Sequence, residues 1–337
     1  MDKAAHSRAY QLVSGFRATQ MVHAVVQLGI PDLLTSGPQS SDDLAASTGV
    51  RPAPLRRILR CLAAEGVFTE GEDGRFSATP VSECLRDQPG SERGAALMLP
   101  TESYVAFRDL MHTLQTGQPA FEHVFGMSRW EHLAHDPEKA ELFNSAMQSR
   151  TEQFRGSVAS AYDFSKIGSV IDVGGGRGTL LAGLLKAHPH LRGTVFDLAA
   201  GLAEADAYLK HQGVRDRCEI VSGNFFESVP GGHDAYVLKN VIHDWDDEKA
   251  TAILASCRKS MGSQARLILV EHVLPDRAVD SADSRRIFID DIQMLVMLGG
   301  QERTVAEYAK LMEAAGLRLT QVLPTDSVYE LIEAMPV

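Results

Sequence analysis

Cysteine is scarce: Cys61, Cys84, Cys218 and Cys257 are the only four in 337 residues, widely spaced and with no C-x-x-C pair. That excludes a disulfide framework and makes reduced thiols the expectation. HExxH and Cys/His zinc spacings are absent as well. No apolar run approaches the roughly 18 residues of a membrane-spanning helix, and Met1–His6 lacks a basic-then-apolar leader pattern. A cytoplasmic protein is expected. Basic excess is missing too: 33 Lys/Arg stand against 44 Asp/Glu, a formal net charge of −11. That argues against a general binder of nucleic acid or anionic membrane. Internal repeats and low-complexity segments are absent. What is there, 44% hydrophobic and 23% charged residues, is ordinary globular composition in a chain long enough for two domains.

Residues 4–30 read as a helix whose apolar residues (Leu12, Val13, Phe16, Met21, Val22, Val25, Val26, Leu28) surround much of its circumference. Burial on several sides is implied, the second side by another subunit. Ser41–Gly49 and Leu55–Gly66 read as two further helices, and Val67–Glu70 with Arg75–Ala78 as a hairpin across Gly71–Gly74. Two helices and a wing-like hairpin resemble a winged-helix module. Arg51, Arg56, Arg57 and Arg60 invite a DNA-binding reading, opposed by a solvated helix face or intersubunit ion pairs. Residues 1–93 hold ten Lys/Arg and eleven Asp/Glu, so the module has no basic excess.

Residues 95–160 look helical, with Met98, Phe143 and Met147 among a Met and aromatic series. Such a series is core or, in a segment connecting two domains, the lining of a ligand cleft. From residue 168 strands and helices alternate: 170–173, 193–197, 218–223, 234–239 and 266–271 as strands, about 178–187, 199–211, 246–260 and 304–315 as helices. Residues 317–323 and 327–332 read as a closing strand pair. The predicted fold class is α/β, a Rossmann-like, mostly parallel doubly wound sheet with an antiparallel edge hairpin, preceded by a mainly helical domain. Three segments are expected: 1–95, a winged-helix-like dimerisation domain; 96–160, a helical connection contributing to the substrate pocket; and 161–337, the catalytic domain.

The organising stretch is Val170-Ile171-Asp172-Val173-Gly174-Gly175-Gly176-Arg177-Gly178-Thr179. A strand ends in an acid and a glycine-dense turn leads into a helix, the opening of a nucleotide-binding unit. The dinucleotide pattern would need a small residue where Thr179 stands. Asp172 disfavours a pyrophosphate, because two anions would meet in a partly dry site. It suits a ligand bearing an ammonium and a sulfonium. The stretch resembles motif I of S-adenosylmethionine (SAM) methyltransferases, with a dinucleotide site or a merely structural turn as the other readings.

Further motifs follow in one order: Phe196-Asp197-Leu198, Gly223-Asn224-Phe225-Phe226, Leu238-Lys239-Asn240-Val241-Ile242-His243-Asp244-Trp245, Val270-Glu271 and Gly300-Gln301-Glu302-Arg303-Thr304. Together they resemble the small-molecule O-methyltransferases of plant phenolic and bacterial natural-product pathways, over nearly the whole chain. The resemblance implies His243 as general base, oriented by Glu271 and Glu302. For SAM, leaving as S-adenosylhomocysteine, it implies Gly174 at the methionine end, Asp197 at the ribose, Asn224 and Phe225 at adenine, and Lys239 nearby, with Asp172, Gly176 and Leu198 also expected among the cofactor-binding residues. Arg150 resembles an arginine that holds the SAM carboxylate. Many relatives have Asp where Asn224 stands, and a proline where Ala199 stands.

The implied chemistry is sound. A phenol must lose its proton as it attacks the methyl, and imidazole is poised near neutrality. Neighbouring carboxylates favour the imidazolium and burial opposes it, which leaves the sign of the shift open from sequence. Met294 is expected against a flat acceptor ring, with Asp244, Asp291, Met98, Phe143 and Met147 as further acceptor-side residues. The acids of 244–248 suit a helix N-terminus, and no catalytic metal is expected. The expected protein is a homodimeric SAM-dependent O-methyltransferase of an aromatic hydroxylated small molecule, with neither nucleic acid nor membrane as partner. The alternatives are a relative that hydroxylates or decarboxylates such a molecule, and a SAM-sensing winged-helix regulator.

Overall fold

A computed structural model of the chain describes residues 2–337. Its described residues form two compact units, one up to Tyr104 with Ser145–Arg150 and the other Val105–Asn144 with Thr151–Val337.

The first unit opens on the helix Lys3–Gln27, capped by the Asp2 carboxylate, which accepts from the Ala4 N–H at 2.9 Å. Its C-terminal end is anchored: Val25 and Val26 share a core with Ile30, Leu44, Leu59 and Leu62. Its first half exposes Tyr10, Leu12, Val13 and Phe16, Val13 to 79%. The next helix, Ser41–Thr48, starts in a capping box of Ser40 and Asp43 and stops at Gly49, whose φ of +72° a glycine adopts without strain. Pro52–Ala64 follows, then β1 (Phe68–Glu70) and β2 (Phe76–Ala78), paired antiparallel as expected. Two of the arginines that invited a DNA-binding reading turn to this hairpin. Arg60 Nε lies 2.9 Å and Arg56 Nη2 3.8 Å from the Glu70 carboxylate. These exposed pairs contribute little stability, but they offset the positive charge of that helix face.

The second unit is built on β3 (Ser169–Val173), β4 (Arg192–Asp197), β5 (Cys218–Ser222), β6 (Ala235–Lys239), β7 (Arg266–Glu271), β8 (Leu317–Pro324) and β9 (Glu330–Pro336). Their spatial order is β5-β4-β3-β6-β7-β9-β8, with the first five parallel and β9 antiparallel to both neighbours. Both faces are covered, which is why the parallel strands read as unbroken apolar runs. Ile171, Val173, Leu238 and Leu269 pack on one side with Ile253, Leu254 and Tyr308; Val170, Val195 and Val237 pack on the other with Leu181, Leu184 and Leu209. The order runs one way from β3 to β5 and the other way from β6 to β7. The crevice for a ligand therefore opens at the carboxyl ends of β3 and β6. The short helices Leu110–Thr116 and Ala120–Phe125 meet the helix Ala282–Met297 in a small core of Ala106, Ala120, Phe121, Val296 and Met297.

In the second unit two elements differ from the sequence reading by more than a residue. The helix expected from 199 begins at Ala205. Turns precede it, with Gly201 so close to the Asp197 side chain that a Cβ would stand 2.9 Å from its Cγ. The last strand begins at Glu330, because Ser327 and Thr325 bond locally. The Ser327 hydroxyl accepts from the Tyr329 N–H (3.2 Å), and the Thr325 hydroxyl donates to the Tyr329 carbonyl (2.6 Å). Among the described residues no helix is long and apolar enough to cross a membrane.

Candidate active site

The glycine turn after β3 needs its glycines. Gly174, Gly176 and Gly178 have φ of +74°, +54° and +79°. A Cβ on Gly174 would lie 2.8 Å from Val241 Cγ2 and 3.9 Å from the Phe225 ring. Above Gly176 there is nothing within 4 Å, so its backbone stands open. Asp172, 2% exposed, keeps a side-chain oxygen without a hydrogen-bond partner. Burial and then the charge of Asp197 push its carboxyl up to about 7, with Lys239 opposing. A buried acid with an unused acceptor beside a bare glycine backbone fits a cationic ligand group and repels a phosphate.

Asp197 ends β4 and fixes the same turn. Its Oδ2 accepts from the Gly176 N–H at 2.8 Å and its Oδ1 from the Leu198 N–H at 2.6 Å. Burial raises its pKa, and these two amides counteract the rise. Leu198 projects beside it, 56% exposed. Past β5, the Asn224 side-chain oxygen accepts from the Phe226 N–H (3.0 Å), a turn-forming bond that an Asp would also make. Lys239, at the end of β6, sets its ammonium 4.6 Å above the Tyr329 ring. Asp172, Gly174, Gly176, Asp197, Leu198, Asn224, Phe225 and Lys239 thus all stand at or just beyond the carboxyl ends of β3 to β6.

Next to them is a buried acid–imidazole group. His243 sits on the one-turn segment Ile242–Asp244 after β6, and its Nδ1 lies 2.8 Å from Glu302 Oε1 and 3.5 Å from Glu271 Oε2. Its Nε2 is 3.4 Å from Asp244 Oδ1. Glu271 holds the segment itself, its Oε1 accepting from the N–H groups of Val241 (3.0 Å) and Ile242 (2.9 Å). Burial opposes a charge on His243, but Glu302, Glu271 and Asp244 outweigh it and push the imidazole up to about 10. Burial and Glu302 lift Glu271 to about 7 against the pull of His243. Burial likewise lifts Asp244, to about 6. The sign that sequence left open is therefore upward.

Residues beyond the predicted set lock this segment. Gly300 lies so close that a Cβ would be 2.1 Å from the His243 carbonyl oxygen and 2.5 Å from the Asp244 carbonyl carbon. The Gln301 N–H donates to the same oxygen at 2.9 Å. Arg303, 1% exposed, donates to the carbonyls of Ile242 (3.2 Å) and Trp245 (2.8 Å) and to Asp247. Its position inside the quoted Gly-Gln-Glu-Arg-Thr motif was the only signal of this role. Asn240 has a φ of +52°, the only non-glycine in the left-handed region among the described residues, and donates its amide to the Tyr329 hydroxyl at 3.0 Å.

On the far side of His243, Trp245 stacks on Trp130 (centroids 6.2 Å apart), and Trp130 meets Phe143 edge-on at 5.8 Å. Phe143 is thereby brought toward the site, and Trp130, read from sequence only as part of an aromatic series, comes with it. Asp291 accepts the Glu302 N–H at 2.9 Å and lines a cavity of about 320 Å³ with Asp246, Leu295 and Gln301. Met294, one turn on, is half-buried, and the helix continues to the buried Met297. Met98, Met147 and Arg150 belong to the first unit.

A doubly wound sheet with an acid-then-glycine turn at its switch point, and a buried His–Glu–Glu group beside it, defines a SAM-dependent methyltransferase. The O-methyltransferase domain matches residues 107–318, and the O-methyltransferase dimerisation domain residues 10–87. A phenazine O-methyltransferase of Lysobacter antibioticus is 41% identical over 97% of this chain and 95% of its own length. A mitomycin biosynthesis 6-O-methyltransferase of Streptomyces lavendulae is 38% identical over 95% and 91%. A solved O-methyltransferase of neocarzinostatin biosynthesis, in complex with SAM and 2-hydroxy-5-methyl naphthoic acid, superposes with a TM-score of 0.81 at 33% identity, covering 95% and 96%. The chain belongs to this O-methyltransferase family, uses SAM as methyl donor and carries the family's dimerisation domain.

Proposed function

We propose that the protein methylates a hydroxyl on a planar aromatic small molecule, with His243 as general base and Glu271 and Glu302 holding it. The observation that carries this reading is the 2.8 Å contact of His243 Nδ1 with Glu302. In the neutral imidazole, a proton on Nδ1 donated to Glu302 would leave the Nε2 lone pair for the acceptor. Bound SAM supplies a methyl group made electrophilic by its sulfonium. Nε2 takes the hydroxyl proton, and the flanking carboxylates stabilise the resulting imidazolium. Trp130, Trp245 and Phe143 offer flat faces to a ring, with Met294, Asp244 and Asp291 on the acceptor side. Arg150 keeps the SAM-carboxylate role that the resemblance implies, and Met98 and Met147 remain weaker acceptor candidates. Relatives acting on phenazine and naphthoate rings support an aromatic acceptor. The test is mass spectrometry of SAM reactions with a panel of aromatic hydroxyl compounds and matched arylamines. Methyl ethers are expected. Hydroxylated or decarboxylated products, arylamines used in preference, or DNA binding with a steep salt slope would each overturn the reading.

Asp197 would hold the ribose hydroxyls while bracing Gly176 and Leu198. Asp197→Asn loses the charge on these hydrogen bonds, a cost of about 1.5–3 kcal/mol. SAM affinity should fall roughly 10–150-fold by calorimetry, with far-UV circular dichroism unchanged. Undiminished affinity would remove Asp197 from the cofactor site.

The working unit would be a homodimer, joined through the apolar stretch that the first helix exposes. Val13→Glu with Phe16→Glu places charge on that stretch and leaves the buried end at Val25 and Val26 intact. Light scattering should show a monomer. A dimer that persists at micromolar concentration would move the interface elsewhere.

A further inference from the structure

The helical hairpin of the second unit carries a group that the methyl-transfer chemistry leaves unused. Asp109 immediately precedes the helix Leu110–Thr116, His112 lies one turn on, and His123 stands across the Gly117 turn in Ala120–Phe125. One ligand atom from each of the three lies within 4.8 Å of the others. The two imidazoles are stacked, centroids 4.0 Å apart and planes 12° apart, and His123 Nε2 is 3.4 Å from Asp109 Oδ2. The backbone beneath them is fixed. The Thr116 hydroxyl donates to the His112 carbonyl (2.7 Å) and accepts from the Gln118 N–H (3.1 Å), while Thr113, Ala120 and Phe121 are buried.

We propose that Asp109, His112 and His123 form a surface site for a borderline divalent transition-metal ion of the zinc class. Two neutral imidazole nitrogens and one carboxylate oxygen are the donors that such ions select over magnesium or calcium. With metal–ligand distances of about 2.0–2.2 Å, donors around a tetrahedral ion stand about 3.3–3.6 Å apart. Each imidazole lone pair lies in its ring plane, so binding would turn His112 and His123 out of their stacked arrangement about χ1 and χ2, on a backbone that stays fixed. Water would fill the remaining positions, which makes the site a clip across the hairpin rather than a catalytic centre. Asp109 precedes His112 by three residues and His123 follows by eleven, a spacing that matches no zinc motif and is brought together by the Gly117 turn.

Zn2+ titrated into untagged, chelator-stripped full-length protein tests this, read by calorimetry and by the melting temperature. One equivalent should bind in the micromolar range and raise the melting temperature, since a ligand of the folded state stabilises it. Losing a metal's outer-shell partner already weakens binding about 10–100-fold. His123→Ala and Asp109→Asn, which lose ligands, should each weaken it by at least about tenfold. His243→Gln should bind Zn2+ as the native protein does, because the buried group of His243, Glu271 and Glu302 is not the proposed site. The proposal fails if no Zn2+ binds below about 100 µM, well above the range a three-ligand site implies. It also fails if binding survives in both hairpin variants or is lost in His243→Gln.

Discussion

Replacing His243 by Gln is expected to lower kcat by about 10²–10⁴-fold, the usual contribution of a general base, with SAM affinity and fold retained. Gln is of similar size and can donate to Glu302 in place of Nδ1, but it cannot accept the hydroxyl proton. The loss should depend on the acceptor. A phenol near a pKa of ~10 needs its proton removed, whereas one well below 7 arrives ionised, and for it the variant should approach the native rate. Identical losses for weakly and strongly acidic phenols would show that His243 positions the acceptor without taking its proton.

The pH profile gives an independent reading of the same residue. As the proposed base His243 must be neutral to act, so activity should be lost as pH falls through its folded pKa. Glu302, Glu271 and Asp244 outweigh burial and push that pKa up to about 10. In the native enzyme kcat/KM should therefore still be rising with pH above ~6.5, the ordinary imidazole value. A base this strong matches a phenol's own acidity, so the proton passes between groups of similar affinity. An inflection at or below the ordinary value would mean that desolvation dominates, and it would refute the electrostatic account of the group.

How far this site was legible in the sequence follows from the range of its interactions. The five parallel strands stand within a residue of their expected positions, because both-sided burial makes each a continuous apolar run bounded by polar turns. The capping box of Thr304 and Glu307 that starts the last helix is equally local. Residues whose role depends on a distant partner left no such mark. Gly300 looks like any turn glycine until it meets the His243 carbonyl, and Arg303 like a surface charge until Ile242 and Trp245 close over it. The exposed half of the first helix shows both sides of the matter. Its all-round apolar pattern was visible, but which end the rest of its unit buries depends on Ile30, Leu44, Leu59 and Leu62, brought together only by folding.

Gly300→Ala is expected to be nearly as damaging as loss of His243, though Gly300 takes no part in the chemistry. One added methyl would stand 2.1 Å from the His243 carbonyl oxygen and 2.5 Å from the Asp244 carbonyl carbon. Those are backbone atoms, so no side chain can swing away to make room. Either the Gly299–Glu302 stretch retreats or the Ile242–Asp244 turn is pushed outward. Both movements part His243 Nδ1 from Glu302 and break the 2.9 Å bond from the Gln301 N–H to the His243 carbonyl. Overpacking of this kind costs about 1–3 kcal/mol, and a displacement of about 1 Å at the base can cost roughly 10² in kcat. Since the residues proposed to hold SAM stand at or beyond the ends of β3 to β6, SAM affinity should change far less than kcat. The same substitution at Gly176 separates the two causes. There a Cβ meets nothing within 4 Å, but φ is +54°, so the strain falls on the cofactor turn and SAM affinity should suffer first. If Gly300→Ala keeps native kcat and melting temperature, the close backbone contact does not hold the base in place.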